Sequence, residues 1–139
     1  MKSDRNKRRS LLPEELEKIK ARLLERKKEL WDEILEDLEQ DAREEHRELI
    51  QTIREEGDIA LAELRESTIF SLIELKHREL EAIESALQRI EEGKYGHCQE
   101  CGRFIRPARL EIMPHAVRCR ECQERIEKLE RAAAHGGQT

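Results

Sequence analysis

The sequence predicts an all-α protein: a long antiparallel coiled-coil hairpin followed by a small four-cysteine knob and a short terminal helix. Three observations predict it. Of 139 residues 37 % are apolar, only 3 % aromatic and 42 % charged, too little apolar mass for an ordinary globular core and the usage of long paired helices. Apolar residues recur at spacings of three, four and seven, and no Gly or Pro interrupts residues 14 to 56. The four cysteines form two C-x-x-C pairs with seventeen residues between them.

Residues 1–12 carry five Lys/Arg against one acid. No apolar run follows them, so they read as a disordered basic leader rather than a secretory signal. Pro13 suits a first helical turn, and Glu14 and Glu15 suit its positive end. Leu16, Ile19, Leu23, Leu30, Ile34 and Leu38 then form an amphipathic stripe, which weakens through Asp41–Glu48 and returns at Leu49 and Ile53. Gly57 is the first breaker, and Asp58 is positioned to cap a second helix.

The second stripe runs through Ala62, Ile69, Ile73, Leu80, Ile83, Leu87 and Ile90 until Gly93 stops it. Helices joined by so short a connection lie antiparallel and bury their stripes on each other. The hairpin therefore takes residues 13–94, with its bend near 54–60 and an arm roughly 50 Å long. Trp31 and Phe70 read as packing residues of that hairpin. Residues 95–134 hold the knob and a final helix containing Ile126 and Leu129 and running to about Ala133; 135–139 read as a disordered tail.

The net charge of −5 is unevenly spread. The leader is +4, residues 95–139 are +2, and 13–94 are −11. Phosphates repel such an acidic arm, so no direct DNA binding is expected of it, although the region around the cysteines remains eligible. No stretch reaches the about 18 apolar residues of a membrane span. No nucleophile elbow, phosphate loop or HExxH motif is present, and no enzyme is expected. The acidic bend has two readings at this point: a probe, or the ordinary surface of a Glu-rich arm.

Cys98, Cys101, Cys119 and Cys122 have the spacing of a four-cysteine zinc finger, in which four thiolates surround one Zn²⁺ at about 2.3 Å. Gly102 frees the backbone to turn back toward the metal. All four positions are then filled by protein, which makes the ion structural and excludes hydrolysis at it. His97 and His115 lie nearby, but four cysteines complete the set. Two C-x-x-C pairs without a βαβ context favour zinc over dithiol redox chemistry, and a reducing cytosol over disulfides. A zinc ion held by four thiolates has a net charge of −2, which Arg103, Arg106, Arg109, Arg118 and Arg120 would offset. Those arginines have an equal alternative use as a surface for nucleic acid or an acidic protein.

Tyr95-Gly-His-Cys98-Gln-Glu-Cys101-Gly, then Ile105, Arg109-Leu110-Glu111, Pro114 and Cys119-x-x-Cys122, resemble the zinc region of the DksA/TraR-type transcription regulators. The approach Ile90-Glu-Glu-Gly-Lys-Tyr-Gly is similar too, and the resemblance covers residues 13 to about 130. It implies a cytoplasmic transcription regulator that binds RNA polymerase directly, as a monomer, with no direct DNA binding and no membrane. It further implies that the coiled coil enters the polymerase secondary channel and that its acidic tip modulates promoter-complex stability and initiation.

The family's tip pattern, an aspartate followed three residues later by Asp-x-Ala, falls on Glu55 and Asp58-Ile59-Ala60. Asp58 thereby becomes the expected effector, with Ala60 supporting it and Glu55 one methylene longer than its counterpart. Family members that respond to guanosine tetraphosphate use basic side chains whose positions correspond to Leu75, Ala82 and Gln123. None of these supplies the cation that a pyrophosphate requires, so weak or absent alarmone synergy is expected. The competing readings are a nucleic-acid-binding zinc module on a coiled-coil stalk, and a scaffold whose finger merely closes a hairpin.

Overall fold

The computed structural model describes residues 5–40, 44–65 and 67–136. The helices are α1 (Pro13–Gln40), α2 (Glu44–Glu56), α3 (Phe70–Glu91), α4 (Pro107–Ile112) and α5 (Arg120–Gly136), with a short 3-10 turn at Leu61–Leu64. Apart from an isolated bridge between His97 and Phe104, no strand occurs among the described residues. No helix among them is long and apolar enough to cross a membrane. The chain divides into two compact units, Leu24–Ile83 and Met1–Leu23 with Glu84–Thr139.

Within 24–83 the predicted stripe is the core. Leu30, Ile34, Leu38, Leu49, Ile53, Ile73, Leu80 and Ile83 are all buried, each fully buried aliphatic stabilising by about 1.5–3 kcal/mol. The pairing is antiparallel. Arg26 meets Glu79 through a two-pronged contact of 3.1 and 2.9 Å, while further along α1 Asp37 meets Lys76 at 2.5 Å. Arg54 of α2 returns to Glu39 of α1 at 2.8 Å. Trp31 and Phe70 are partly buried, as packing residues would be.

The route into the second arm departs from expectation. Asp58 caps no helix: its Oδ1 accepts the N–H of the adjacent Ile59 at 2.8 Å, and α3 begins only at Phe70. Two local preferences explain the delay. Ile59 and Leu64 are both buried, and five residues apart on a continuous helix they would point about 140° away from each other. Ser67 Oγ then accepts the Ile69 N–H at 3.3 Å, a local bond that competes with helix formation. Ala62 is consequently exposed and Ile69 only partly buried. Residues 41–43, in the weak stretch of the first stripe, lie outside the described residues.

In the other unit, α1 opens as anticipated at Pro13. Glu15 reaches back to the Leu12 N–H at 2.8 Å, the carboxylate half of a capping box. Ile19, Leu23, Ala86, Ile105, Pro107 and Leu110 form the core around the cysteines. Tyr95 donates its hydroxyl to the Pro114 carbonyl at 2.6 Å, and burial pushes its pKa up. Arg22 and Arg89 donate to the carbonyls of Glu111 and His97, both at 2.6 Å.

Residues 1–12, expected as a disordered leader, make contacts in their described part. Arg8, Arg9 and the Asn6 carbonyl all make specific bonds, and 1–4 lie outside the described residues. The terminal helix also runs on past Ala133 to Gly136. Ala132 to Ala134 are the best helix formers, and the next glycine is Gly136. Residues 137–139 lie outside the described residues.

Candidate functional site

Two short turns bring the cysteines together. After Cys98 the chain closes with Gly102 N–H on the Cys98 carbonyl at 2.9 Å, and Gly102 has φ +76°, a left-handed value that glycine adopts freely. The Cys98 N–H meets the Arg103 carbonyl at 2.8 Å, and the Gln99 N–H ties this turn to Val117 at 2.8 Å. Cys119 and Cys122 sit at the start of α5, where Gln123 N–H closes on the Cys119 carbonyl at 2.9 Å.

All four sulfurs lie within 4.8 Å of one another, and Cys101 Sγ stands 3.9 Å from Cys119 Sγ. A tetrahedron with Zn–S bonds of about 2.3 Å has edges of about 3.8 Å, whereas a disulfide needs about 2.05 Å. Cys98, Cys119 and Cys122 are buried and Cys101 is exposed. The four cysteines fit one structural zinc ion and fill its coordination.

The surroundings are built for negative sulfur. Burial opposes charge on Cys98, but the N–H groups of Cys101, Cys119 and Glu100 outweigh it and draw the thiol below its ordinary value. The backbone N–H and then the guanidinium of Arg103 hold Cys101 down at about 6. Cys122 is pushed up to about 12, first by sharing its proton with Cys119 and then by burial. Sulfurs this close resist carrying four charges unaided, and a dication removes that conflict.

Of the five arginines expected to offset this charge, Arg103 is the one that helps draw a thiol, that of Cys101, below its ordinary value. Arg106 pairs with Glu121 at 2.8 Å, Arg118 with Glu100 at 3.1 Å and Arg120 with Glu124 at 3.0 Å. Arg109 donates to the Arg118 carbonyl at 3.0 Å. The sequence reading missed two others. Arg125 lies 4.0 Å from Cys122 Sγ, and its i+3 position on the helix is a legible signal. Arg8 comes from the leader to donate to the Phe104 carbonyl at 3.1 Å and to Glu121, between Cys119 and Cys122, at 2.8 Å, and no local pattern announces a contact between residues so far apart in the chain. His97 is turned away from ligation, its ring 4.4 Å from that of Phe104 with an interplanar angle of 32°.

The residues singled out at the bend are all exposed. Glu55 lies in the last turn of α2, where it accepts from Gln51 at 2.9 Å. Gly57 ends that helix at φ +71°, its N–H on the Ile53 carbonyl at 2.8 Å. Asp58 follows with its side chain 76 % exposed, and Ala60 is exposed in extended backbone at φ −86°, ψ 93°. Leu75 is 65 % exposed, Ala82 is partly buried, and Gln123 donates to Glu127 at 3.1 Å.

Residues 93–128 match the prokaryotic dksA/traR C4-type zinc finger family. The RNA polymerase-binding transcription factor DksA of Caulobacter vibrioides (strain NA1000 / CB15N) is 38 % identical over 124 residues, which cover 84 % of this chain and 79 % of that protein. The protein of the same name from Escherichia coli (strain K12) is 37 % identical over 70 residues, 47 % of this chain and 46 % of that one. Among solved structures, transcription factor DksA2 from Pseudomonas aeruginosa superposes with a TM-score of 0.55 at 31 % identity, covering 86 % of this chain and 88 % of that one. A likeness at this identity that runs through finger and helices alike is that of kin: the chain belongs to the DksA/TraR family.

Proposed function

We propose that this protein is a cytoplasmic transcription regulator that binds RNA polymerase, inserts the bend of its hairpin into the secondary channel, and uses Asp58 to modulate promoter-complex stability. The observation that carries this reading is Asp58 itself. It is an exposed carboxylate in a non-helical bend, with one oxygen held by the Ile59 N–H and the side chain largely open to solvent. A relative 38 % identical over most of its length is named for polymerase binding, which supports the choice of partner. Glu55 adds charge beside Asp58, and Ala60 leaves room for close approach.

A carboxylate delivered to such a channel acts either on Mg²⁺ coordination or on mobile polymerase elements. Zinc keeps a purely structural role in both cases. The finger's arginines favour this reading over nucleic-acid binding. Arg106, Arg118 and Arg120 are paired with carboxylates of the same unit, and phosphate contacts would have to displace these partners. No useful DNA affinity is expected from the chain alone. With Leu75, Ala82 and Gln123 at the corresponding positions, alarmone synergy is expected to be weak or absent.

In vitro transcription with Asp58→Asn tests the role of the charge at nearly constant size. Loss of regulation with polymerase binding retained is the expected result. Unchanged regulation removes the bend from the mechanism.

A further inference from the structure

A thiolate stays on its metal only as well as its surroundings stabilise its charge, so the groups beyond the four ligands govern metal retention. One such group comes from the leader. One Arg8 nitrogen donates to the Phe104 carbonyl at 3.1 Å and another to Glu121 Oε2 at 2.8 Å. Its side chain is 18 % exposed, against 56 % for Arg5 three residues earlier. Both flanks of Arg8 are fastened separately. Arg106 donates to the Asn6 carbonyl at 2.9 Å, and Arg9 forks onto Glu15 at 2.8 and 3.1 Å. Glu121 is shared, its other oxygen taking Arg106 at 2.8 Å. A planar fork can hold a carbonyl and a carboxylate in one fixed geometry, as a lysine ammonium on a flexible stem cannot.

We infer that Arg8 is a positioning residue of the zinc centre, and that the leader is a strap across the finger that sets how fast the metal is lost. Arg8 joins the two halves of the site, since Phe104 follows the first cysteine pair and Glu121 lies within the second. This inference depends on the metal centre and is independent of any polymerase contact.

The test uses the full-length, zinc-loaded chain and follows zinc transfer to the chromogenic chelator 4-(2-pyridylazo)resorcinol, with far-ultraviolet circular dichroism as a check on folding. Arg8→Met is expected to release zinc about tenfold faster at unchanged helicity. Arg5→Met, which removes the leader's 3.3 Å pair with Glu111 but leaves both Arg8 contacts in place, is expected to stay within about twofold of the parent. Arg8→Lys, which keeps the charge but not the fork, is expected between the two. A release rate for Arg8→Met equal to the parent's overturns the inference. Equal acceleration in Arg5→Met and Arg8→Met also overturns it, by making leader attachment rather than the guanidinium contact the cause.

Discussion

His77 Nε2 stands 3.4 Å from Asp58 Oδ1, so α3 supports the bend from within the hairpin unit. The same ring has its Nδ1 3.1 Å from Glu81 Oε1, an approach too poorly aligned to count as a hydrogen bond. The 3.4 Å contact is long, and Asp58 stays largely solvated. His77 thus restricts the orientation of Asp58 without consuming its charge.

His77→Ala should therefore weaken regulation less than Asp58→Asn does. Loss of the carboxylate charge is expected to reduce the transcriptional effect about tenfold or more, as for a charge-assisted contact. Loss of the histidine should reduce it only severalfold. Dose–response curves on a regulated promoter compare the two, and an equal or larger loss in His77→Ala contradicts the ranking.

Ile34 is 0 % exposed in the hairpin core, whereas Leu75 on α3 is 65 % exposed. Ile34→Ala should destabilise by about 2–5 kcal/mol, and Leu75→Ala by at most about 0.5 kcal/mol. Urea unfolding followed by circular dichroism measures both. Comparable losses would mean that Leu75 packs against something the hairpin does not contain.

Folding lowers the Glu15 pKa from 4.5 to about 2, first through Arg9 and then through the Leu12 N–H. The folded state therefore favours the charged form. Its contribution is complete above about pH 4.5 and is lost as pH falls toward 2. The pair is partly solvated, so on the order of 1 kcal/mol is expected. The stability gap between the parent and Glu15→Gln should be full at about pH 6 and narrow through that acid window. A gap that widens on acidification contradicts the assignment.

Metal analysis should find one zinc per chain. Removing it should abolish protection from hydrogen exchange around Cys98–Cys122, where the sulfurs otherwise repel. Retained protection in the metal-free chain would show that the turns hold themselves.

Much of this structure is legible in the sequence because periodicity and helix-end chemistry are local. Pro13 opens α1, and Leu30, Ile34, Leu38, Ile73, Leu80 and Ile83 are buried as their spacing predicts. The four cysteines also follow from spacing alone. The delayed start of α3 is not legible, because Ser67's turn and the burial of Ile59 and Leu64 outweigh the helical preference of 58–66. The leader's contacts are hidden for another reason: Arg8 finds Phe104 and Glu121, both in the distant C-terminal part of the chain. Composition suggests five arginines around the metal, but most find carboxylates or carbonyls first.

Guanosine tetraphosphate should change the protein's effect on transcription by less than about twofold, because the corresponding positions offer no cation for a pyrophosphate. Strong synergy in a reconstituted reaction would show that other side chains supply it.

The most direct measurement is photo-cross-linking from a benzophenone side chain introduced at the exposed Ala60, in the chain bound to core RNA polymerase. Co-migration with the polymerase and cross-links beside its catalytic centre are the predicted result. No co-migration, or cross-links confined to the polymerase's outer surface, would contradict the proposal that this bend works inside the channel.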